Sequence, residues 1–564
     1  MLYFYTSLII LFLFNNILII IKSFEIKEDN LSRKASIYYI KTTGKYQVNE
    51  GVYDKMAAAY AIYNHSYETK GWDFLTLSSY DGVDDKYSDE VKNYAMGYLE
   101  GVLTYKRIYH AYYNLNNYKY YKNNGKMPNS TYEFFQKNLQ FMRNMTSKYK
   151  DIDPYWHEVN NLYNQMIGLH EGYNSMVSPN EKIDLVSFQT IVSLGDVDEI
   201  ANWKKENRPN YSKMSIDELI LYLGIHNHCS AIIKIADDLS DIWFGHSTWT
   251  GYNKLIRIYK EYKYVPNSDF PIKSKVLTMS SYPGAINSQD DFYITDANLY
   301  VAETTNSVLN LTLFDQLDPN TLMCWMRTMV ANRLSDNGYS WIQIFSKYNS
   351  GTYNNQFQIL DLKLIDTEKK KIFPGALYIV EQLPGSCDFE DVTENLKKGY
   401  WPSYNTPYIR SVREKSGIID SVIQNPNLTV LEDYDTCCRA KIFRRDQSKI
   451  KDIESYKNLI RYNDYMNDEF SEKNARYSIA SRYDLNSENS MCFGATDAKF
   501  ASINEIKTKG KKIVHIISGP TTNGQKPFYW NNATCRLTDE IRFKVIGQVD
   551  KYDFDWIDYE INLW

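Results

Sequence analysis

This chain is poor in the features that mark several large functional classes. It has no Walker A loop, no Gly-x-Gly-x-x-Gly fingerprint and no Cys-x-x-Cys pair, so the usual phosphate-cradling, dinucleotide-binding and zinc-ribbon signatures are missing. No long block of like charge occurs, and the net charge is -5 over 564 residues. Neutralising phosphates needs a concentrated basic face, so nucleic acid is not an expected partner. No repeat of solenoid period is visible. Past about Ser23 there is no long apolar run, which excludes a later membrane-spanning helix of ordinary length. What is abundant is apolar and aromatic residues, 43% and 15%, the composition of a packed globular protein. The 50 tyrosines read as amphipathic core and interface residues spread along the chain.

Residues 1–23 form a nearly unbroken apolar stretch, interrupted by Asn15 and Asn16. It reads as a signal peptide in preference to a signal anchor, although it lacks a basic first region, with cleavage expected shortly after Lys22-Ser23. Secretory entry agrees with eight Asn-x-Ser/Thr triplets, at Asn30, Asn64, Asn129, Asn144, Asn210, Asn310, Asn427 and Asn532, each a candidate glycosylation site. The expected location is secreted or lysosomal. Seven cysteines are an odd number, so an oxidising compartment leaves at least one thiol outside intramolecular disulfides. Cys229 is the candidate for it. Cys492 and Cys535 are a candidate pair, although sequence does not fix connectivity, and Cys437-Cys438 is compatible with buried thiols or a disulfide.

The first third reads as helical. Ser88, followed by Asp89 and Glu90, is an expected N-cap, with Val91, Tyr94, Ala95, Tyr98, Leu99 and Val102 at helical spacing. Ser130-Thr131-Tyr132-Glu133 has capping-box form and predicts a helix to about Tyr149. Pro154 predicts the start of a third. From about Lys182 to His228 the pattern loosens and reads as a linker open to processing. Beyond Cys229, short strands and turns dominate, with a helix expected around Asn320 to Leu334. The mixture argues for α+β layers.

Cys229 opens an apolar strand-like run to Ile235, and a second run from Asp241 to Trp249 follows after a polar turn. A thiolate attacks acyl carbonyls, but a free thiol of pKa ~8.5 needs activation. If the bond between His228 and Cys229 is cut, the freed α-amine, pKa near ~8, can act as its base. The plain alternative is a buried structural thiol. His226, His228 and Cys229 resemble metal ligands, but the sequence offers no matching partner set, so neither a metal nor another cofactor is expected. Gly245-His246-Ser247-Thr248-Trp249 begins like a serine-hydrolase elbow, with Trp249 where the second glycine belongs.

Several segments, in one order, resemble the phospholipase B-like family of N-terminal nucleophile hydrolases. They are Cys229-Ser230-Ala231, Gly245 to Trp249, Ser280 to Gly284, Asp290 to Tyr293 and Glu303 to Asn306, then Tyr348 to Gln356, Gly399 to Trp401, Ser403 to Asn405, Arg439 to Gln447 and Arg461 to Asn463. The resemblance runs from about residue 50 to the C-terminus. It implies a four-layer αββα sandwich and a precursor cut just before Cys229. The expected parts are a signal peptide (1–23), a helix-rich fragment (24–228) and a catalytic fragment (229–564), the two fragments forming one globular unit.

By the same resemblance Cys229 is the nucleophile, and His246 and Trp249 lie on the next strand. Asn405 supplies an amide donor to the oxyanion, and Arg439 orients or polarises the N-terminal cysteine. Thr304 or Thr305 lines the pocket. An oxyanion donor is worth ~3 kcal/mol of transition-state stabilisation, and a permanent cation such as Arg439 can depress a thiol pKa. Read alone, Arg439 fits a structural ion pair in the Arg439–Arg445 cluster, His246 a packed strand histidine and Trp249 a core or pocket wall. The implied function is release of fatty acids from glycerophospholipids, with transient contact at a membrane or lipid surface. The alternatives are an amidase for N-acyl or peptide-like substrates and a non-catalytic lysosomal lipid-binding protein.

Overall fold

A computed structural model describes residues 32–564 apart from 83, 85, 121–123, 227–228, 268–269, 271, 508–509 and 538–543. The expected signal segment, Asn30 and His228 lie outside the described residues. The fold is α+β. An 11-stranded sheet runs in the order Ser386–Asp391, Leu377–Leu383, Asn355–Asp361, Leu299–Thr305, Phe292–Thr295, Val276–Ser281, Ile258–Lys263, Asp73–Ser79, Ala59–Asn64, Ser32–Ile40 and Lys45–Glu50. A six-stranded sheet has the order Tyr400–Ser403, Ser230–Ile235, Ile242–Ser247, Asp497–Ser502, Ile513–Ser518 and Ile557–Glu560. In the larger sheet, Asp73–Ser79 pairs in parallel with Ile258–Lys263, so chain from both sides of Cys229 forms one hydrogen-bonded surface.

Alternation along each strand fixes the layers. In Leu299–Thr305, Leu299 and Val301 join a core with the long helices, whereas Tyr300 and Ala302 face a second core. That second core also takes Ile233, Phe244, Ala501 and Ile516 from the six-stranded sheet, and the Phe244 and Tyr300 rings meet at 4.6 Å. Ile232, Trp243 and Phe500, on the opposite face of the smaller sheet, pack with Ile442, Phe443 and Tyr456, residues of the helices Cys438–Asp446 and Ile453–Ile460. The central strands of both sheets are therefore covered on both faces, while the edge strands Lys45–Glu50 and Ser386–Asp391 are largely exposed. This is why Ala231, Ile232 and Ile233 are apolar in succession instead of alternating with polar residues. Burying each large apolar side chain contributes roughly 1.5–3 kcal/mol.

The helices follow the sequence reading closely in two cases and depart from it in one. Ser88 Oγ accepts from Val91 N at 3.3 Å and starts Asp89–Lys119. Asp153 accepts from Tyr155 N at 2.8 Å and starts Pro154–Met176. The middle helix is Asn129–Tyr149, capped by Pro128 without a side-chain bond. The Ser130 capping box is thus corrected: Ser130 is already inside the helix. The first and last of these helices touch backbone to backbone. A Cβ added at Gly97 would lie 1.9 Å from the Gln165 carbonyl oxygen, and one at Gly168 2.1 Å from that of Tyr94, so only glycine permits this approach.

The stretch expected to be a loose linker is folded in its described part. It contains the helices Leu185–Val192, Val197–Ile200 and Ile216–His226, and buries Phe188, Ile191, Val197 and Ile200. The later helix is Cys324–Leu334, starting four residues after the expected Asn320. Among the described residues, no helix is long and apolar enough to cross a membrane.

Candidate active site

Cys229 stands at the head of Ser230–Ile235, with φ at 98°. Left-handed backbone is uncommon for a residue with a Cβ and costs of order 1–3 kcal/mol. The strand pairs antiparallel with Ile242–Ser247, which sets Ala231 opposite His246 and Ser230 opposite Ser247. The hairpin thereby carries the cysteine and the histidine to the same end of the sheet. A third group comes from the larger sheet: ligand-type atoms of Cys229, His246 and Glu303 all lie within 4.8 Å of one another.

All three are buried, and burial sets their charge. It pushes the Cys229 thiol well above its usual range, with the Glu303 carboxyl adding to the effect and Lys499 opposing it. It pushes the His246 imidazole well down. The Glu303 carboxyl is raised, first by desolvation and then by Asp291. Burial thus favours the neutral form of each member of the trio: thiol, imidazole and carboxylic acid. Tyr353 donates to Glu303 Oε1 at 2.8 Å. Asn355, with its amide nitrogen turned toward Glu303, donates to Oε2 at 3.0 Å. Neither ring nitrogen of His246 completes a hydrogen bond among the described residues. Cys, His and Glu are also a donor set suited to a soft divalent metal, although Lys499 and Arg257 oppose added positive charge near the imidazole.

Beside the neutral trio lies a charged one. Arg257 bonds Asp290 and Asp497, each at 2.5 Å, and Lys499 bonds the same two at 3.0 Å. All four side chains are completely buried. Lys499 also donates to Thr248 Oγ1, and the Thr248 backbone N–H donates to Asp497 at 3.0 Å. The cluster pins the turn between His246 and Trp249. No role for these residues emerged from the sequence, although Asp290-Asp291 and Glu303 stood within noted segments. Adjacent carboxyl groups beginning an apolar strand were the available signal.

Arg439 reaches this site from Cys438–Asp446. Its Nη1 donates to the Cys229 carbonyl oxygen at 2.6 Å and to Ser230 Oγ at 3.3 Å, and its guanidinium lies 4.3 Å from the Trp249 ring centroid. It holds the cysteine backbone, while the cation acting most on the sulfur is Lys499. Asn405 is also left-handed, with φ at 72°. Its backbone N–H donates to Thr304 Oγ1 at 3.2 Å and its side-chain nitrogen to the Thr305 carbonyl at 2.7 Å.

A cavity of about 100 Å³ opens beside the thiol, walled by Cys229, Thr248, Trp249, Thr305 and Tyr353 among others. The Thr304/Thr305 alternative resolves by strand alternation. Thr305 faces the cavity, whereas Thr304 turns to Ser403, Oγ to Oγ at 2.7 Å.

A sequence model of the phospholipase B family matches residues 59–559. The chain belongs to that family. Phospholipase B-like 1 of Rattus norvegicus is 37% identical, covering 93% of this chain and 91% of its own. The human protein of that name is 36% identical over 93% and 90%. Phospholipase B-like protein D of Dictyostelium discoideum is 35% identical over 91% and 89%. Matches of nearly full length put the family segments noted in the sequence in one continuous relationship.

Elsewhere, Cys492 and Cys535 form a disulfide, while Cys437 and Cys438 are separate buried thiols. Asn64, Asn129, Asn144, Asn210, Asn427 and Asn532 are exposed. Asn310 is half-buried, caps a short turn and donates to the Lys415 carbonyl at 3.3 Å.

Proposed function

We propose that this family member is an acyl hydrolase of the N-terminal nucleophile type, its two sheets and flanking helices forming the αββα sandwich of that class. The observation that carries the reading is the meeting of Cys229, His246 and Glu303 at the end of a strand where Cys229 is held left-handed. In the precursor the Cys229 sulfur adds to the preceding carbonyl, the C–N bond breaks, and the acyl group passes to sulfur. The nitrogen gains the thiol's proton, and water then releases the upstream chain from the thioester. Relief of the backbone strain at Cys229 favours this shift.

The freed α-amine changes the electrostatics of a site that was neutral. It accepts the thiol proton, and the resulting thiolate attacks an acyl ester of a glycerophospholipid. The alcohol leaves with a proton, and water hydrolyses the thioester. Arg439 and Trp249 keep the cysteine in place; Asn405 supplies an amide to the oxyanion once its bond to Thr305 loosens. The 24–228 and 229–564 fragments stay together through the shared sheet. Entry into the secretory route, glycosylation at the exposed triplets and residence in a lysosome or outside the cell complete the reading.

The test is N-terminal sequencing of every fragment of purified protein, together with phospholipid incubation of wild type and Cys229→Ala. Expected are a fragment beginning at Cys229 and fatty-acid release in wild type alone. Equal release from both proteins would remove Cys229 from the chemistry. A second reading, an amidase for N-acyl or peptide-like substrates, keeps the Cys229 nucleophile and changes only the bond attacked. Competition between matched ester and amide substrates separates the two.

A further inference from the structure

Besides Cys229 and its tyrosines, the cavity is lined by five ionisable groups, and four of them are accounted for. Asp198 is ion-paired with Lys119. Glu199 accepts from the Asn354 side chain at 2.7 Å, and desolvation pushes its carboxyl up to about 8, so it is neutral below that pH. His226 is pushed down by burial, and its Nδ1 donates to the Tyr222 carbonyl oxygen at 2.7 Å. Asp290, which also lines the cavity, is spent on Arg257 and Lys499.

Lys254 is the fifth. It ends the short turn Tyr252–Lys254, directly after the Trp249–Gly251 strand, and its side chain lines the same cavity as the Cys229 sulfur. Among the described residues it makes neither a hydrogen bond nor an ion pair. The opposing charge that acts most on it, Asp198, is already paired with Lys119. Desolvation lowers its amine to about 8, which still leaves it protonated in neutral or acidic surroundings. Lys254 is half-buried, and an ammonium partly withdrawn from water without a partner is unfavourable; a ligand that brings the counter-charge offsets that cost.

We propose that Lys254 is the anion-recognition residue of this cavity, binding a singly charged oxyanion of the substrate, a phosphodiester or a carboxylate, while the acyl group faces Cys229. The net charge of the wall, one uncompensated positive group, selects a monoanion; a dianionic phosphomonoester would carry a charge with no partner. This assignment rests on the reading of the cavity as the acyl site, and two measurements keep the two apart.

The first uses mature protein and matched substrates: a lysophospholipid against a monoacylglycerol of the same chain, and an N-acylglycine against an N-acylethanolamine. Lys254→Met, confirmed to be cut before Cys229, is expected to raise KM for the anionic member of a pair by about 10- to 100-fold, with the neutral member nearly unaffected and Lys254→Arg restoring most of the difference. Equal loss on charged and neutral substrates overturns the proposal. The second needs no turnover, and so survives failure of the hydrolase reading. Wild-type protein is acetylated with acetic anhydride and mapped by peptide mass spectrometry, alone or with dimethyl phosphate, butyrate or neutral trimethyl phosphate. Protection of Lys254 by dimethyl phosphate points to a phosphodiester and by butyrate to a carboxylate, each supporting the proposal if trimethyl phosphate does not protect. No protection by either anion, or no labelling of Lys254 in the free protein, overturns it.

Discussion

Two sets of equally buried ionisable groups stand side by side at the end of the hairpin, and they have opposite electrostatic outcomes. Cys229, His246 and Glu303 have no full opposite charge in hydrogen-bond contact, so desolvation drives each to its neutral form. Arg257, Lys499, Asp290 and Asp497 are no less buried, yet two cations face two carboxylates at 2.5–3.0 Å. Opposite charge offsets the loss of water, and the Asp290 carboxyl is held well below its usual range although desolvation pushes it upward. Burial alone therefore does not decide protonation; the partner does. The neutral set is poised for proton movement, and the charged set is a fixed scaffold behind it.

The sharpest way to break this contrast is to remove one member of the scaffold. Asp290→Asn leaves two buried cations facing one carboxylate and is expected to cost about 3–5 kcal/mol of folding stability, read as a lowered urea midpoint. A loss below about 1 kcal/mol would mean that the cluster is not a charged, interdependent unit.

A pH series comes next in size. The Glu199 carboxyl keeps its proton to about 8 in the folded protein, against an ordinary 4.5, and Glu381 keeps its own to about 7. As pH rises above 4.5 the unfolded chain ionises these groups while the folded chain does not, so stability falls until the folded pKa is passed. Histidines act the other way. His110, pushed down to about 4 from 6.5, lowers stability as pH falls through that window. Between pH 6.5 and 8 the raised carboxyls are left unopposed by histidine. Each is expected to lower stability by up to about 1.4 kcal/mol per pH unit while it stays protonated. Glu199→Gln should flatten that slope by one group's share. A urea midpoint that does not fall across the interval would contradict the assignment.

The smallest effect is predicted in the neutral set. Because Glu303 is already uncharged, Glu303→Gln should change stability by no more than about 1 kcal/mol, with the Asn355 amide turning to match the new donor. A loss as large as that of Asp290→Asn would show that Glu303 is ionised in the folded state, and would erase the distinction between the two sets.

Some of this was readable from local pattern. Ser88 and Asp153 announced their helices because a cap acts over two or three residues, and the Cys229 hairpin was visible because two apolar runs flanked a polar turn. The Ser130 reading failed because Pro128 begins that helix without a side-chain bond, leaving capping-box spelling with no cap to make. The region from Lys182 to His228 looked loose because its helices are short, and their burial depends on surfaces supplied by other parts of the chain.

By itself the sequence determined the cysteine at the head of a strand, the α+β character and the family, since these rest on periodicity and on runs of neighbouring residues. The tertiary structure alone decided which threonine faces the cavity, that Glu303 joins Cys229 and His246, and that Lys499 meets Asp290 across 209 positions. Charge state and ligand contact depend on distances between segments far apart in the chain, and those distances exist only once both sheets have packed.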